Sequence, residues 1–203
     1  VFGDDFSEKI TILNNIKKIK FGRDFNKKIK ISNSVTHLEF GDSFNQKIII
    51  PNSVTHLKYG YNFNTIIIIP NSVTHLEFRN NFRNNINIFN NIIKLIYPYK
   101  YNIINKININ KCLNLHIRNK KLKNVSTLKN IHTLDLSNCE NIIDIYELKN
   151  VNTIHLYHCS NIININGFNN IYFLHISYCS NIKNANGLEN IHTLTLFYCD
   201  NLT

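Results

Sequence analysis

The chain has 203 residues, 43% of them hydrophobic, enough apolar material for one continuous core. No apolar run approaches the ~18 residues that a membrane-spanning helix needs, and no secretory leader is visible. The formal charge is +10 and is unevenly spread: residues 1–123 hold 16 Lys and 4 Arg against 7 acids, whereas residues 124–203 hold 3 Lys against 6 acids.

Read in chain order, the first half keeps a period of 19. Phe2, Phe21, Phe40, Tyr59, Phe78 and Tyr97 share one register, and Phe6, Phe25, Phe44, Phe63, Phe82 and Tyr101 a second. Ile10, Ile29, Ile48, Ile67 and Ile86 form a third, and Ile12, Ile31, Ile50, Ile69 and Ile88 a fourth. Gly3, Gly22, Gly41 and Gly60 follow the first aromatic, where a permissive turn residue is expected. The second half keeps a period of 20, in four copies that align Cys139, Cys159, Cys179 and Cys199. Both halves share one kernel of three apolar positions, Val35-Leu38-Phe40 in the first and Ile131-Leu134-Leu136 in the second.

That kernel predicts ten strands, at about 16–21, 35–40, 54–59, 73–78, 92–97, 112–117, 131–136, 151–156, 171–176 and 191–196. A repeat of 19 or 20 residues has room for one short strand and a return path. The expected fold is therefore a leucine-rich-repeat-like solenoid: a curved parallel sheet of about ten short strands, with irregular or short 3₁₀ return segments. Residues 1–110 read as the period-19 array and residues 111–203 as the period-20 array of one continuous solenoid. Asn, Ile and Lys make up close to half of the chain, as in proteins from AT-rich genomes, and there is no Met. The first residues, "VFGDDF", and the last, "CDNLT", read as parts of repeats, so a fragment of a longer protein is expected.

The pattern "L-x-F-G-x-x-F-N-x-x-I…I-P-N-S-V" at Leu38 to Val54 resembles the FNIP repeat of social amoebae and giant amoeba viruses. The run "L-x-L-x-x-C-x-N-I" at Leu134 to Ile142 resembles cysteine-bearing leucine-rich repeats. Leu13 and Phe89 depart from the FNIP pattern in place of Pro, Arg79 and Pro98 in place of Gly, and Arg83 in place of Asn. The resemblance implies a protein-binding solenoid. Relatives often carry an F-box that docks onto a ubiquitin ligase while the repeats recruit the substrate. A cytoplasmic setting follows from that role, the host cytoplasm if the source is viral.

Three rows of residues are candidates for chemistry. The Cys ladder has a spacing unlike the paired ligands of zinc sites, so buried, reduced cysteines are favoured over metal or disulfides. They suit a reducing compartment. His37, His56 and His75 share one strand position in neighbouring coils, with Glu39, Lys58 and Glu77 two positions on along the same face. An exposed row produced by duplication is favoured there over a metal site, and three protonated imidazoles side by side would repel. In the second half His116, Asp135, His155 and His175 share one outward position, and Phe173 stands in the neighbouring outward row. Tyr157, His158, Tyr178, Phe197 and Tyr198 follow at the strand ends. This aromatic group reads either as an interaction surface or as a ladder of mutually packed rings.

No nucleophile, base and orienting group fall together, and no phosphate-cradling loop or paired-carboxylate motif is present, so neither an enzyme nor a cofactor is expected. A protein partner on the concave sheet face is the leading reading. Nucleic acid is not favoured, because Lys27, Lys28, Lys30, Lys120, Lys121 and Lys123 fall on the return path and only Lys17, Lys18, Lys20, Lys58 and Lys94 on strands. Open solenoid ends expose strand edges and allow end-to-end self-association, the basis of a purely structural alternative.

Overall fold

The computed structural model describes residues 1–79, 82–84, 91–97, 112–118, 120, 122–166, 168, 170–186, 188 and 190–202. The expectations placed on Ile86, Ile88, Phe89, Pro98, Tyr101 and Lys121 lie outside these residues. The described residues fall into two compact units, the first within Val1–Pro98 and the second within Cys112–Thr203.

In the first unit the strands are β1 (Lys18–Lys20), β2 (His37–Glu39), β3 (His56–Tyr59), β4 (His75–Phe78) and β5 (Lys94–Tyr97). They are parallel and lie side by side in chain order, one repeat apart in register, so that Leu38 sits beside Leu57 and Leu57 beside Leu76. In the second unit β6 (Asn114–Arg118), β7 (Thr133–Ser137), β8 (Thr153–Tyr157), β9 (Phe173–Ser177) and β10 (Thr193–Phe197) do the same. The ten short parallel strands expected from the kernel are all present.

Each strand begins about two residues later than the kernel suggests. The cause is visible before β2: the Thr36 and His37 amides both donate to the Lys17 carbonyl, at 2.8 and 3.0 Å, so the chain is still turning at Thr36. For the same reason Lys17 lies just before β1 rather than on it. The return paths are irregular, and among the described residues only Ser126–Leu128 and Tyr146–Leu148 form 3₁₀ turns.

In the first unit Leu38, Leu57, Leu76 and Leu95 are buried, and behind them stand two aromatic columns. One runs Phe21, Phe40, Tyr59, Phe78, with ring centroids 5.2–5.4 Å apart and planes within 10°. The other runs Phe25, Phe44, Phe63, Phe82 at 5.9–6.1 Å. Within a coil the two columns also touch, as Phe40 does Phe44 at 3.9 Å. Burial of such rings dominates the core, and each favourable ring pair adds about 0.5–1.5 kcal/mol beyond its buried area. Tyr97 ends this order by standing edge-on to Phe78 and Phe82, at 74° and 86°.

The polar letters of the period-19 repeat serve the same stacking. The Ser34, Ser53 and Ser72 hydroxyls donate to the carbonyls of Ile16, Val35 and Val54 in the preceding coil, at 2.7–2.8 Å. The side-chain carbonyls of Asn26, Asn45 and Asn64 accept the amides of Asn45, Asn64 and Arg83 in the following coil, at 2.7–2.9 Å. Thus Asn and Ser satisfy backbone groups that the irregular return path leaves without ladder partners.

The glycines have a different reason from the expected turn. None of Gly3, Gly22, Gly41 and Gly60 has a positive φ; what the last three permit is close approach. A Cβ on Gly22 would lie 1.9 Å from the Gly3 carbonyl oxygen, and one on Gly41 2.0 Å from that of Gly22. Gly41→Ala must therefore push two coils apart, and a loss of about 3 kcal/mol or more in urea unfolding is expected. Tyr59 gives the opposite case. Its hydroxyl is fully buried without a hydrogen-bond partner, at a position where Phe21, Phe40 and Phe78 need none. Tyr59→Phe should raise stability by about 1–3 kcal/mol in the same assay, with the fold unchanged by circular dichroism.

Candidate partner-binding faces

Alternation along the strands leaves one set of side chains outside the core. In the first unit these are two parallel rows across the sheet. One row is Lys18, His37, His56, His75, Lys94; the other is Lys20, Glu39, Lys58, Glu77, Ile96. They line a groove of about 430 Å³ over the strand face.

The imidazoles stack. The centroids of His37 and His56 are 4.1 Å apart and those of His56 and His75 4.0 Å, closer than the ~4.8 Å between strands. Each Nδ1 shares a hydrogen bond of 2.9 Å with the hydroxyl of the preceding threonine, Thr36, Thr55 or Thr74. Those hydroxyls already donate to the carbonyls of Lys17, Thr36 and Thr55, at 3.1–3.2 Å. A hydroxyl has one proton to give, so each Nδ1 is the donor in its pair and each Nε2 of the neutral ring keeps its lone pair. Parallel rings carry parallel lone pairs, which do not converge on one ion. Among the described residues no group of three or more His, Cys, Asp or Glu is arranged to hold a metal.

Burial lowers the pKa of all three histidines, and neighbouring cations add to it: Lys18 beside His37 and His56, Lys94 beside His75, and the imidazoles beside one another. The adjoining row is neutralised within itself. Glu39 pairs with Lys20 at 3.2 Å and with Lys58 at 3.7 Å, and Glu77 pairs with Lys58 at 3.2 Å.

In the second unit the outward rows are more aromatic. His116 Nδ1 lies 2.7 Å from Asp135, whose other carboxylate oxygen accepts the Ser137 hydroxyl at 2.8 Å. Burial alone would raise the Asp135 pKa, but the hydrogen bonds from His116 and Ser137 and the neighbouring imidazoles hold it below its ordinary value. His155 is lowered by burial, against the pull of Asp135. His175 shares a 2.6 Å hydrogen bond with Ser177, a serine that is 4% exposed. The arrangement orients imidazoles. Ser137, which donates to the Asp135 carboxylate, and Ser177 are both covered, at 6% and 4% exposed.

Tyr157 and Phe197 are the last residues of their strands rather than lying beyond them as expected; His158, Tyr178 and Tyr198 come next. These three have positive φ, at 51°, 54° and 49°, a region costly to non-glycine residues. The turn lets the His158 and Tyr178 amides donate to the carbonyls of Ser177 and Phe197, both at 3.0 Å. It also places the next residue, the ladder cysteine, inside the coil. The side chains of His158, Tyr178 and Tyr198 then stack at 4.7 Å spacing. So the rings do form a ladder, and they stay accessible: Tyr178 is 39% exposed, Phe197 53% and Tyr198 63%. Phe173 stands over β9 against His155, with ring centroids 5.3 Å apart.

The five cysteines are free, and Cys112, Cys139, Cys159 and Cys179 are buried. The ladder thiols point at backbone carbonyls, as Cys159 does at Leu136, 3.3 Å away. The hydrogen bond with Cys139, together with burial and only partly offset by Cys179, pushes the Cys159 thiol up to about 12. The bond with Cys159 and burial raise Cys179 further. Such thiols are poor nucleophiles and serve as core.

All sixteen candidate residues thus lie on an outward strand row or in the turn just after it. Reading the sequence missed the part of Lys18 and Lys94, although positions 18, 37, 56, 75 and 94 keep the same period.

One consequence is open to titration. The folded histidines of the first unit have pKa values below the ordinary 6.5 of the unfolded chain, so unfolding takes up protons. This contribution to stability is complete above about 6.5 and is lost as the pH falls through and below that value. The urea midpoint should drop between pH 7.5 and 5, and replacing His37, His56 and His75 together by Gln should flatten that slope.

No helix among the described residues is long and apolar enough to cross a membrane. No curated protein matches the chain. The FNIP Repeat family model matches it three times, over residues 6–42, 25–62 and 44–81. With the coil period, the stacked Phe columns and the Asn and Ser ladders in place, residues 6–81 are an array of FNIP repeats.

Proposed function

We propose that the chain is a protein-interaction solenoid that binds its partner through outward strand faces rather than a catalyst. The carrying observation is the aromatic group of the second unit: Tyr157, Phe173 and Phe197 on the outward row of the parallel strands, and Tyr178 and Tyr198 in the turns just after them. Accessible large apolar side chains grouped on one surface mark interaction sites. Tyr in particular dominates binding energy where it is desolvated. Repeat arrays offer such surfaces without a reactive centre. The absence of a base-bound, accessible nucleophile in the His116–Asp135–Ser137 and His175–Ser177 groups fits the same reading.

The finer reading is substrate recruitment for a ubiquitin ligase. It rests on the FNIP resemblance and calls for co-purification with ligase subunits. The broader reading is tested by capture from a lysate of the source organism, with captured proteins identified and their affinity measured on purified material. A second chain carries Ala at Tyr157, Phe173, Tyr178, Phe197 and Tyr198. A partner that binds the first chain and loses about tenfold or more in affinity for the five-Ala chain supports the proposal. Equal binding by both chains, at equal thermal midpoints, sinks it.

A further inference from the structure

The groove of the first unit has a charge pattern that selects among partners. Apart from the Val1 α-amino group, which also lines it, its net charge resides in two places. The Lys20, Glu39, Lys58, Glu77 row is internally paired. Lys18 and Lys94, at the two ends of the imidazole row, have no carboxylate within salt-bridge distance among the described residues. Four strand spacings separate them, which is about 19 Å. Between them lie three flat, stacked rings whose Nε2 atoms are unprotonated when neutral.

We infer that this groove takes an extended acidic segment of a protein partner, running across the strands, with two carboxylates about 19 Å apart held by Lys18 and Lys94. The inference rests on the reading that the sheet faces bind protein, and it names the partner chemistry for one of them. In an extended chain six residues cover about 20 Å, so side chains at positions i and i+6 on one peptide fit the two lysines. The stacked imidazoles form the floor between them.

Glu39 and Glu77 decide against the other polyanion. A nucleic-acid backbone carries a phosphate at every nucleotide, and one laid along the groove would bring several close to those two carboxylates. Two discrete carboxylates avoid them.

Proton linkage gives the groove a signature. The charged groups around the imidazoles are the Val1 α-amino group, Lys18 and Lys20 on β1, Glu39 on β2, Lys58 on β3, Glu77 on β4 and Lys94 on β5. The cations nearest the row, Lys18 and Lys94, disfavour protonation of the histidines in the free protein. An acidic segment neutralises those cations and offers acceptors to Nε2–H, so binding draws protons onto the column. Affinity therefore rises as the pH falls from 8 to 6, while the peptide carboxylates remain ionised.

The test is fluorescence anisotropy on the full chain with labelled seven-residue peptides. One carries Glu at positions 1 and 7 with Ser and Tyr between, a second carries Gln at both ends, and a third has its two Glu three residues apart. Oligothymidylate is the fourth probe. The inference expects the first peptide to bind tightest and to bind more tightly at pH 6 than at pH 8. Lys18→Gln and Lys94→Gln should each weaken it about fivefold, and Lys129→Gln, at an exposed return-path lysine of the second unit, should leave it unchanged. Both lysines are exposed or on the groove rim, so the variants should keep the parent's thermal midpoint.

Equal binding of the Glu and Gln peptides, indifference to both lysine substitutions, or tighter binding of oligothymidylate would each overturn the inference. So would failure of every peptide to bind. If that failure comes with a captured partner that still depends on the second unit's aromatic residues, the broader protein-binding reading stands and only the groove's assignment falls. If the partner ignores the aromatic residues as well, both fall.

Discussion

Everything in the first unit hangs on the close meeting of one coil's backbone with the next. The glycine contacts set it: a single methyl on Gly22 or Gly41 would sit about 2 Å from a neighbouring carbonyl oxygen. At that separation phenyl rings stack nearly flat, a serine hydroxyl reaches the carbonyl behind it, and an asparagine side chain caps the amide ahead of it. Where Arg79 stands in the glycine's place, the ring stack, the serine bond and the asparagine bond to the coil before are kept, at 5.4, 2.8 and 2.7 Å. The interactions are individually modest, about 1 kcal/mol for a net hydrogen bond, but they share one distance and so act as a unit.

The same distance shapes the outward face. Because the coils keep strict register, a residue type written once per repeat becomes a row across the sheet. For histidine that row is closer than strand spacing, with rings leaning into contact and threonines fixing their tautomer. For lysine and glutamate it becomes an alternating chain of ion pairs, worth little each at the surface, about 0–1 kcal/mol, but decisive for where net charge is left over. Recognition in such a molecule is written by exceptions to the repeat. Lys18 and Lys94 occupy the histidine register without being histidine, and Phe173 and Tyr178 stand where Thr and Asn stand in the coil of β7.

Much of this was legible in the letters. The period located ten strands, and the kernel placed Leu38, Leu57 and Leu76 inside. The position of the strand starts was not, since it depends on Thr36 and His37 sharing one carbonyl, a three-dimensional fact. Nor was the reason for glycine. A turn requirement and a close approach select the same residue, and only the neighbour's carbonyl tells them apart. The aromatic group was legible as composition but not as geometry. Whether the rings at His158, Tyr178 and Tyr198 pack or remain accessible depends on a left-handed backbone at each, which no local pattern of bulky residues announces. They do both.

The glycine contacts also bear on how such an array can grow. Genes of repeat proteins lengthen when a copy is pasted between two others. Here a pasted copy that brings its own glycine keeps the close approach, since a Cβ at Gly22, Gly41 or Gly60 would lie 1.9–2.3 Å from the carbonyl oxygen of the coil before it. The coils carrying Gly22, Gly41 and Gly60 can be multiplied or exchanged among themselves. The coil carrying Arg79 closes the run of glycines and still keeps register with the coil before it. The array therefore takes new material most easily where the glycine recurs, within the room left for one methyl group.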